Sequence, residues 1–158
     1  MEGKTVKESS VNIIQFMTQQ DANIVGNVHG GVIMKLIDTT AAAVAIRHTR
    51  TNVVTASVDR LDFHNPVFVG DLLTIKASLN AIGKTSMEVG AYVESENIKT
   101  GKIQHTASAY LTIVALGEDG RPTAVHPLLL ETDEEIRRNR EAQARKEIRL
   151  RESKRKNK

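Results

Sequence analysis

The chain has 158 residues, 40% of them hydrophobic and 3% aromatic, so it is long enough for one domain with an aliphatic core and a short appendage. It contains no cysteine, which excludes a disulfide framework, a thiolate metal site and a cysteine nucleophile, and which suits a reducing cytoplasm. The polar N-terminus lacks a signal-peptide core, and no apolar run approaches the roughly 20 residues that span a bilayer, so we expect a cytoplasmic protein without a membrane partner.

The positive charge is concentrated at the C-terminus. Residues 131–158 contain 11 Lys and Arg against 7 Asp and Glu, whereas residues 1–130 contain 11 against 12. The formal net charge of +3 is therefore a property of the tail. A charge confined in this way is weak support for nucleic-acid binding, and we expect no nucleic-acid partner.

The first elements are a strand and a long helix. Closely spaced apolar residues over Val11–Met17 predict a strand, which a polar loop follows. From about Gly30 to His48 the apolar residues recur at i, i+3 and i+4, the spacing of a helix. Four alanines, at positions 41–43 and 45, make this helix slim on nearly every side, so we expect it to be buried and closely wrapped.

After the helix the apolar spacing changes from near four to two. The apolar positions are even over 54–58 and odd over 61–63, so we predict a bulge or bend near Arg60. Three more alternating stretches follow, separated by turns: 73–81, 87–93 and 107–115. These elements predict an α+β fold with an antiparallel, meander-like sheet and the helix against one face.

A turn-rich linker leads to a last segment rich in Glu, Arg, Lys and Ala. This composition predicts a charged helix from about Thr132 to Ser153. Thr132 or Asp133 can cap its start, and i, i+4 ion pairs stabilise it. Because its apolar stripe is thin, we expect a solvated helix with residues 153–158 disordered.

The start of the long helix carries the strongest indication of chemistry. Gly30 and Gly31 allow a ligand to approach the backbone, and a helix that begins there presents free N–H groups and a positive dipole end. Asp38 lies about two turns further along among apolar neighbours, where a carboxylate is costly to bury. The pattern indicates an oxyanion-binding helix start beside an acid or base. From the residues alone, Asp38 could equally be a surface group, and Gly31 could serve only helix–strand clearance.

The histidines and serines form no recognisable catalytic or metal-binding pattern. We expect His29 to cap the helix rather than to act as a catalyst, and the other four histidines are too scattered for metal-ligand spacing. No serine occupies a nucleophile-elbow motif, so a Ser-His-Asp triad is unsupported. We expect no metal.

Short motifs follow one another in order over about residues 10–130. They are Asp21-Ala-Asn23, Gly26-Asn-Val-His-Gly-Gly31, Lys35-Leu-Ile-Asp38, Val54–Phe63, Pro66-Val67 with Gly70-Asp71, Gly83–Met87 and Ala109-Tyr-Leu111. Through this ordered set the chain resembles the hotdog-fold acyl-CoA thioesterases, in the acyl-CoA hydrolase branch of bacterial and cytosolic long-chain enzymes. The resemblance implies a hotdog thioesterase domain over residues 11–130, flanked by a polar segment, 1–10, and the charged tail, 131–158.

The resemblance also implies an assembly and a catalytic pair. Hotdog domains wrap a sheet around a central helix and form homodimers, often trimers of dimers, with the active sites at the dimer interface. Carried onto this sequence, the pair is Asn23 from one subunit and Asp38 from the facing one. Asp38 could deprotonate water or attack as a nucleophile to form an anhydride. Asn23 could orient water or polarise the thioester carbonyl, although an Asx turn alone could explain it, and the Gly31 N–H is the candidate oxyanion donor.

Coenzyme A enters as part of the substrate, so no separate cofactor is required. Its phosphates need cations and N–H donors. The candidates are Arg60 at the predicted irregularity and Lys84, Thr85 and Ser86 in the turn after Gly83, although Lys84 could be an ordinary solvated lysine. We expect the slim helix and the sheet to line an acyl tunnel.

The expected function is therefore hydrolysis of fatty acyl-CoA to free fatty acid and CoA. One alternative is a hotdog hydratase acting on enoyl thioesters, which usually requires an Asp/His dyad a few residues apart, whereas His29 precedes Asp38 by nine residues. The other is a non-catalytic acyl-CoA-binding regulator whose tail contacts DNA, although a single basic helix does not make a helix-turn-helix.

Overall fold

The computed structural model describes residues 1–158, which form a five-stranded antiparallel sheet with one long helix on each face. In chain order the elements are β1 (Lys4–Thr5), α1 (Val6–Ser9), β2 (Val11–Phe16), a 3-10 turn (Gln19–Asp21), α2 (Gly30–Thr49), β3 (Asn52–Phe63), β4 (Leu72–Ile82), β5 (Ser86–Glu96), β6 (Ile103–Leu116), β7 (Leu128–Leu129) and α3 (Asp133–Lys156). The sheet order is β2-β4-β5-β6-β3, and β1 pairs with β7 in a separate parallel ladder. The predicted strands, long helix and α+β class are confirmed, and β4, β5 and β6 form the meander.

The core lies between α2 and the inner face of the sheet. The largest fully buried side chains there come from three central strands: Leu73, Ile75, Leu79, Met87, Val89, Val93, Leu111 and Ile113. The alanines of the helix allow close packing, since Ala41 and Ala45 are completely buried against this face.

The expectation that α2 is buried all round is wrong for this chain. Its other face is open to solvent, and Met34 and Ile46 are 45% and 42% exposed. All five strands of the sheet and the short helix α1 contact α2. The open side carries a stripe that includes Gly31, Lys35 and Asp38.

Strand β3 forms one edge of the sheet and contains two irregularities. Its pairing with β6 skips one residue at Ala56 and another at Asp59, so the bulge predicted near Arg60 is confirmed and a second one was not foreseen. Thr55 and Val58 consequently face the same inner side, because they pair with the buried Ile113 and Leu111. The apolar alternation over 54–58 is therefore not a buried face, and position 54 points outward.

Helix α3 crosses the outer face of the sheet. Thr132 caps it in a capping box with Glu135, as one of the two predicted caps. The expected solvated helix is corrected, because Ala142 is buried and Arg145 forms two hydrogen bonds with the buried Glu88. The helix also continues to Lys156, where disorder was expected.

None of the helices combines the length and the apolar composition needed to cross a lipid bilayer.

Candidate active site

A hydrogen-bonded pair on the open face of α2 forms the centre of the candidate site. Thr55 Oγ1 on β3 donates to Asp38 Oδ1 over 2.6 Å, and Asp38 Oδ2 has no partner within the chain. A hydrogen bond to an ionised carboxylate is among the stronger side-chain interactions, and it fixes the orientation of the group. One oxygen of Asp38 is thus held while the other faces the open side of the helix.

Sequence reasoning missed Thr55. Its neighbours Val54, Ala56 and Val58 form a regular apolar alternation, which placed Thr55 on the polar, outward side. The bulge at Ala56 reverses that assignment and turns the hydroxyl toward the helix. A polar residue opposite the buried Ile113 was therefore the signal, but it is visible only once the register is known.

An apolar groove of about 340 Å³ opens beside the carboxylate. Its walls come from α2, β3 and β6, and six of its eight lining residues are hydrophobic: Met34, Ile37, Val58, Leu61, Ala109 and Leu111. Asp38 and Lys35 provide the only charges in the lining. A single oriented carboxylate next to an apolar groove can serve as a base or a nucleophile toward a polar group of a ligand whose apolar chain binds in the groove.

Asn23 lies in the loop that precedes α2. Its Oδ1 accepts hydrogen bonds from the N–H groups of Val25 and Asn27, at 3.0 and 3.2 Å, so the Asx-type turn is confirmed. Its amide NH₂ has no acceptor within the chain, which leaves it available to a ligand. The tip of this loop is apolar and unprotected, with Ile24 fully exposed and Val25 82% exposed.

The helix start is capped from within the chain. His29 Nδ1 accepts a hydrogen bond from the Gly31 N–H over 2.9 Å, so the prediction that His29 caps the helix is confirmed. The proposed oxyanion donor is therefore occupied here, whereas the Gly30 N–H has no partner within the chain. A Cβ at position 31 would lie 3.1 Å from His29 Nδ1, so glycine makes room for this cap.

One chain does not bring the predicted catalytic residues together. Gly31 and Asp38 share the open face of α2, but seven residues of helix separate them by about 10 Å along its axis. Asn23 lies before the helix begins, and its side chain forms hydrogen bonds only within its own loop.

The predicted CoA-binding residues also lie apart. Arg60 is 70% exposed and ion-paired with Asp62 over 2.7 Å. Lys84 is exposed in the β4–β5 turn, in which the Gly83 N–H donates to Ser86 O. Arg60 pairs with Tyr110 of β6, and Ser86 pairs with Val114 of the same strand. These two β6 positions are four residues apart, which corresponds to about 13 Å along the strand.

Comparison with known proteins identifies relatives of this arrangement. Residues 25–102 match the family model of the thioesterase superfamily. The chain is 38% identical to the rat cytosolic acyl coenzyme A thioester hydrolase over 91% of its own length, and it spans only 38% of that relative. It is 36% identical to an apo-hexameric acyl-CoA thioesterase of solved structure, with a TM-score of 0.93, covering 97% of this chain and 98% of the other.

A second solved structure contains ligands. The acyl-CoA hydrolase from Staphylococcus aureus, in complex with butyryl-CoA, CoA and CoA disulfide, is 34% identical with a TM-score of 0.87 and covers 97% of this chain and 95% of its own. Structures of the same hydrolase include variants in which an aspartate, an asparagine or a threonine is replaced by alanine.

Proposed function

The chain belongs to the acyl-CoA thioester hydrolase family of the hotdog-fold thioesterase superfamily, and from this premise we propose that it hydrolyses acyl-CoA to a free carboxylic acid and CoA. The observation that carries the proposal is the Asp38 carboxylate, oriented by Thr55 at the rim of an apolar groove. A fatty acyl chain fits such a groove, with its thioester carbon beside the carboxylate.

In the proposed reaction Asp38 activates a water molecule. The oxygen held by Thr55 stays in place, and the free oxygen removes a proton as water adds to the thioester carbonyl. The C–S bond then breaks, the acid is released, and the CoA thiolate takes up a proton. Direct attack by Asp38, with an anhydride hydrolysed in a second step, uses the same geometry.

The charge that develops on the carbonyl oxygen needs donors. The unused amide NH₂ of Asn23 and the N–H groups of Gly30 and Gly31 are of the required type, and Gly31 becomes available if the His29 ring turns away. The Staphylococcus aureus variants change an aspartate, an asparagine and a threonine, the same residue types as Asp38, Asn23 and Thr55, which supports this assignment.

We propose that two copies complete each site. Strand β3 is a 12-residue edge, and an edge of that length presents unpaired N–H and C=O groups to a second sheet. The exposed Ile24 and Val25, the open face of α2 and this edge are all surfaces that a partner would cover. In such a dimer Asn23 of one copy approaches Asp38 of the other. The hexameric relative supports further assembly as a trimer of dimers.

The remaining assignments follow the same proposal. Arg60, Lys84, Thr85 and Ser86 bind the phosphates of CoA, with the separated groups contributed by different copies. The mammalian relatives are named as cytosolic proteins, and a cytoplasmic location is our proposal for this chain. The hydratase alternative is weakened because His29, at the start of α2, lies about 13 Å along the helix axis from Asp38. The regulator alternative is weakened because α3 lies docked along the sheet.

A subunit-complementation assay tests both the activity and the shared site. Release of free CoA from acyl-CoA is followed with a thiol reagent. We expect Asn23→Ala to lower kcat strongly and Asp38→Asn to lower it by about 10²–10⁴-fold, the usual worth of a general base. After the two inactive variants are dissociated together and reassembled, half of the dimers are mixed and each has one intact site.

Recovery of about a quarter of the wild-type activity is therefore the expected result. The absence of recovery, with mixed dimers confirmed by mass spectrometry, would place both residues in one chain and contradict the shared site. The absence of CoA release by the wild-type protein would contradict the function itself.

A further inference from the structure

The second bulge of β3 is held from the outer face of the sheet. Asp59 is the residue that the ladder with β6 skips, so its backbone has no strand partner there. Arg149 of α3 donates a hydrogen bond to Asp59 Oδ2, and the side chains of Arg149 and Asp59 are 27% and 17% exposed. Ser57 Oγ donates to the other oxygen at 3.4 Å. The bulge is therefore tied to the C-terminal helix.

The helix is anchored firmly enough to act as a support. Arg145, one turn before Arg149, forms two hydrogen bonds of 2.7 and 3.1 Å with Glu88 on β5, and its guanidinium lies 3.7 Å from the centre of the Tyr110 ring on β6. Asn139 donates to the carbonyl oxygen of Asn80 on β4 over 3.0 Å. Contacts with β4, β5 and β6 thus fix the position of α3. Through Arg149, the fixed helix in turn supports β3.

Strand β3 needs this support more than the others. Within the chain it pairs only with β6, and its two bulges remove two residues from that ladder, which lies opposite the edge that the proposed dimer would cover. Val58, next to Asp59, and Leu61, just beyond it, form one wall of the apolar groove. The position of that wall depends on how the bulge is held.

We propose that Arg149 is a positioning residue that, through Asp59, sets the β3 wall of the acyl groove and thereby the affinity for long acyl chains. The proposal rests on the proposed thioesterase function. Because the groove wall touches the acyl chain and not the thioester, losing the contact raises KM for long chains. The kcat for short chains, which do not reach the wall, stays unchanged.

The test compares Arg149→Met with Arg151→Met. Both remove one positive charge from α3, but Arg151 is exposed and its only ion pair is with Glu147 of the same helix. KM and kcat are measured on an acyl-CoA panel from two to sixteen carbons. We expect Arg149→Met to raise KM about fivefold or more for the longest chains, with less than a twofold change in kcat for acetyl-CoA, and Arg151→Met to match the wild type.

Asp59→Asn and the double variant complete a cycle. If Arg149 acts through Asp59, the double variant raises KM no further than either single change. Hydrogen exchange over residues 53–61, which needs no enzymatic activity, should be faster in Arg149→Met than in Arg151→Met.

The outcomes separate this proposal from the proposed function. An active wild type whose chain-length profile is the same in Arg149→Met and Arg151→Met overturns the positioning role. An equal loss of kcat on every chain length, together with a lowered Tm, also overturns it, because it shows a general structural role. A wild type inactive on the whole panel refutes the thioesterase function. If hydrogen exchange over residues 53–61 is then also unchanged in Arg149→Met, the support of β3 by the Arg149–Asp59 contact is refuted as well.

Discussion

The two faces of the sheet differ in how completely their polar and apolar groups are paired and covered within the chain. On the outer face, Glu88 is 7% exposed and is paired with both Arg145 and Asn80. On the inner side, the helix covers the core, but Asp38 has one partner, the groove is open, and apolar side chains at the loop tip lie in solvent. The chain covers the outer face with its own residues, and it leaves open the face at which we propose that a substrate and a second copy bind.

The largest effect should come from breaking the closed face. Arg145→Met leaves the Glu88 carboxylate buried without its ion partner, and removing one member of a buried pair typically costs about 3–5 kcal/mol. Burial opposes the charged form of Arg145, but the hydrogen bonds and the charge of Glu88 outweigh it and raise the pKa of Arg145 above its usual range. Chemical denaturation should show a loss of this size.

The matched control is the double variant Glu88→Gln with Arg145→Met, which removes both charges. It should lose clearly less stability than Arg145→Met alone, because no unpaired charge remains. Equal losses in the two variants would mean that packing, and not the ion pair, holds α3 to the sheet.

A smaller effect is expected on the open face. Thr55→Val removes the hydroxyl that orients Asp38 while keeping the shape of the side chain, and a hydrogen bond to a charged group is worth about 1.5–3 kcal/mol. We expect kcat to fall about 10- to 100-fold with Tm nearly unchanged, since Asp38 is exposed to solvent in the free chain. Thr55→Ser should retain most of the activity. A kcat for Thr55→Val equal to that of the wild type would show that Asp38 needs no such orientation.

The same contrast explains what the sequence could predict. The long helix from Gly30 and the alternating strands follow from local periodicity, and the capping roles of His29 and Thr132 follow from their positions at helix starts. Asp38 stood out because a carboxylate on an apolar helix is unusual. These features depend on residues that are near in sequence.

The features that could not be predicted depend on register and on docking. The bulge at Ala56 inverts the side on which Thr55 lies, and no local pattern announces it. The docking of α3 rests on Arg145, one arginine among many in a charged segment, and its partner Glu88 lies 57 residues away in the sequence. The thin apolar stripe indicated a solvated helix, because the spacing of apolar residues carries no information about a buried ion pair.

The smallest predicted effect concerns His48, near the C-terminal end of α2. The side chain is fully buried, its Nε2 donates to the carbonyl oxygen of His126 over 2.8 Å, and its Nδ1 is buried without a partner. Burial lowers the pKa of His48 below its ordinary value of 6.5, and the hydrogen bond to His126 offsets this only in part.

The unfolded chain therefore takes up a proton near pH 6.5 that the folded chain takes up only at lower pH, so the free energy of unfolding should fall as the pH drops below about 6.5. His48→Gln keeps an N–H donor for His126 but does not titrate. Tm measured from pH 7.5 to pH 5 should decrease more steeply in the wild type than in His48→Gln, because the other acidic groups contribute equally to both. Parallel curves of Tm against pH in the two proteins would show that protonating His48 does not lower the stability of the folded chain. The pH profile of kcat should keep its shape in His48→Gln, since His48 lies nearly three helical turns from Asp38, at about 15 Å along the axis.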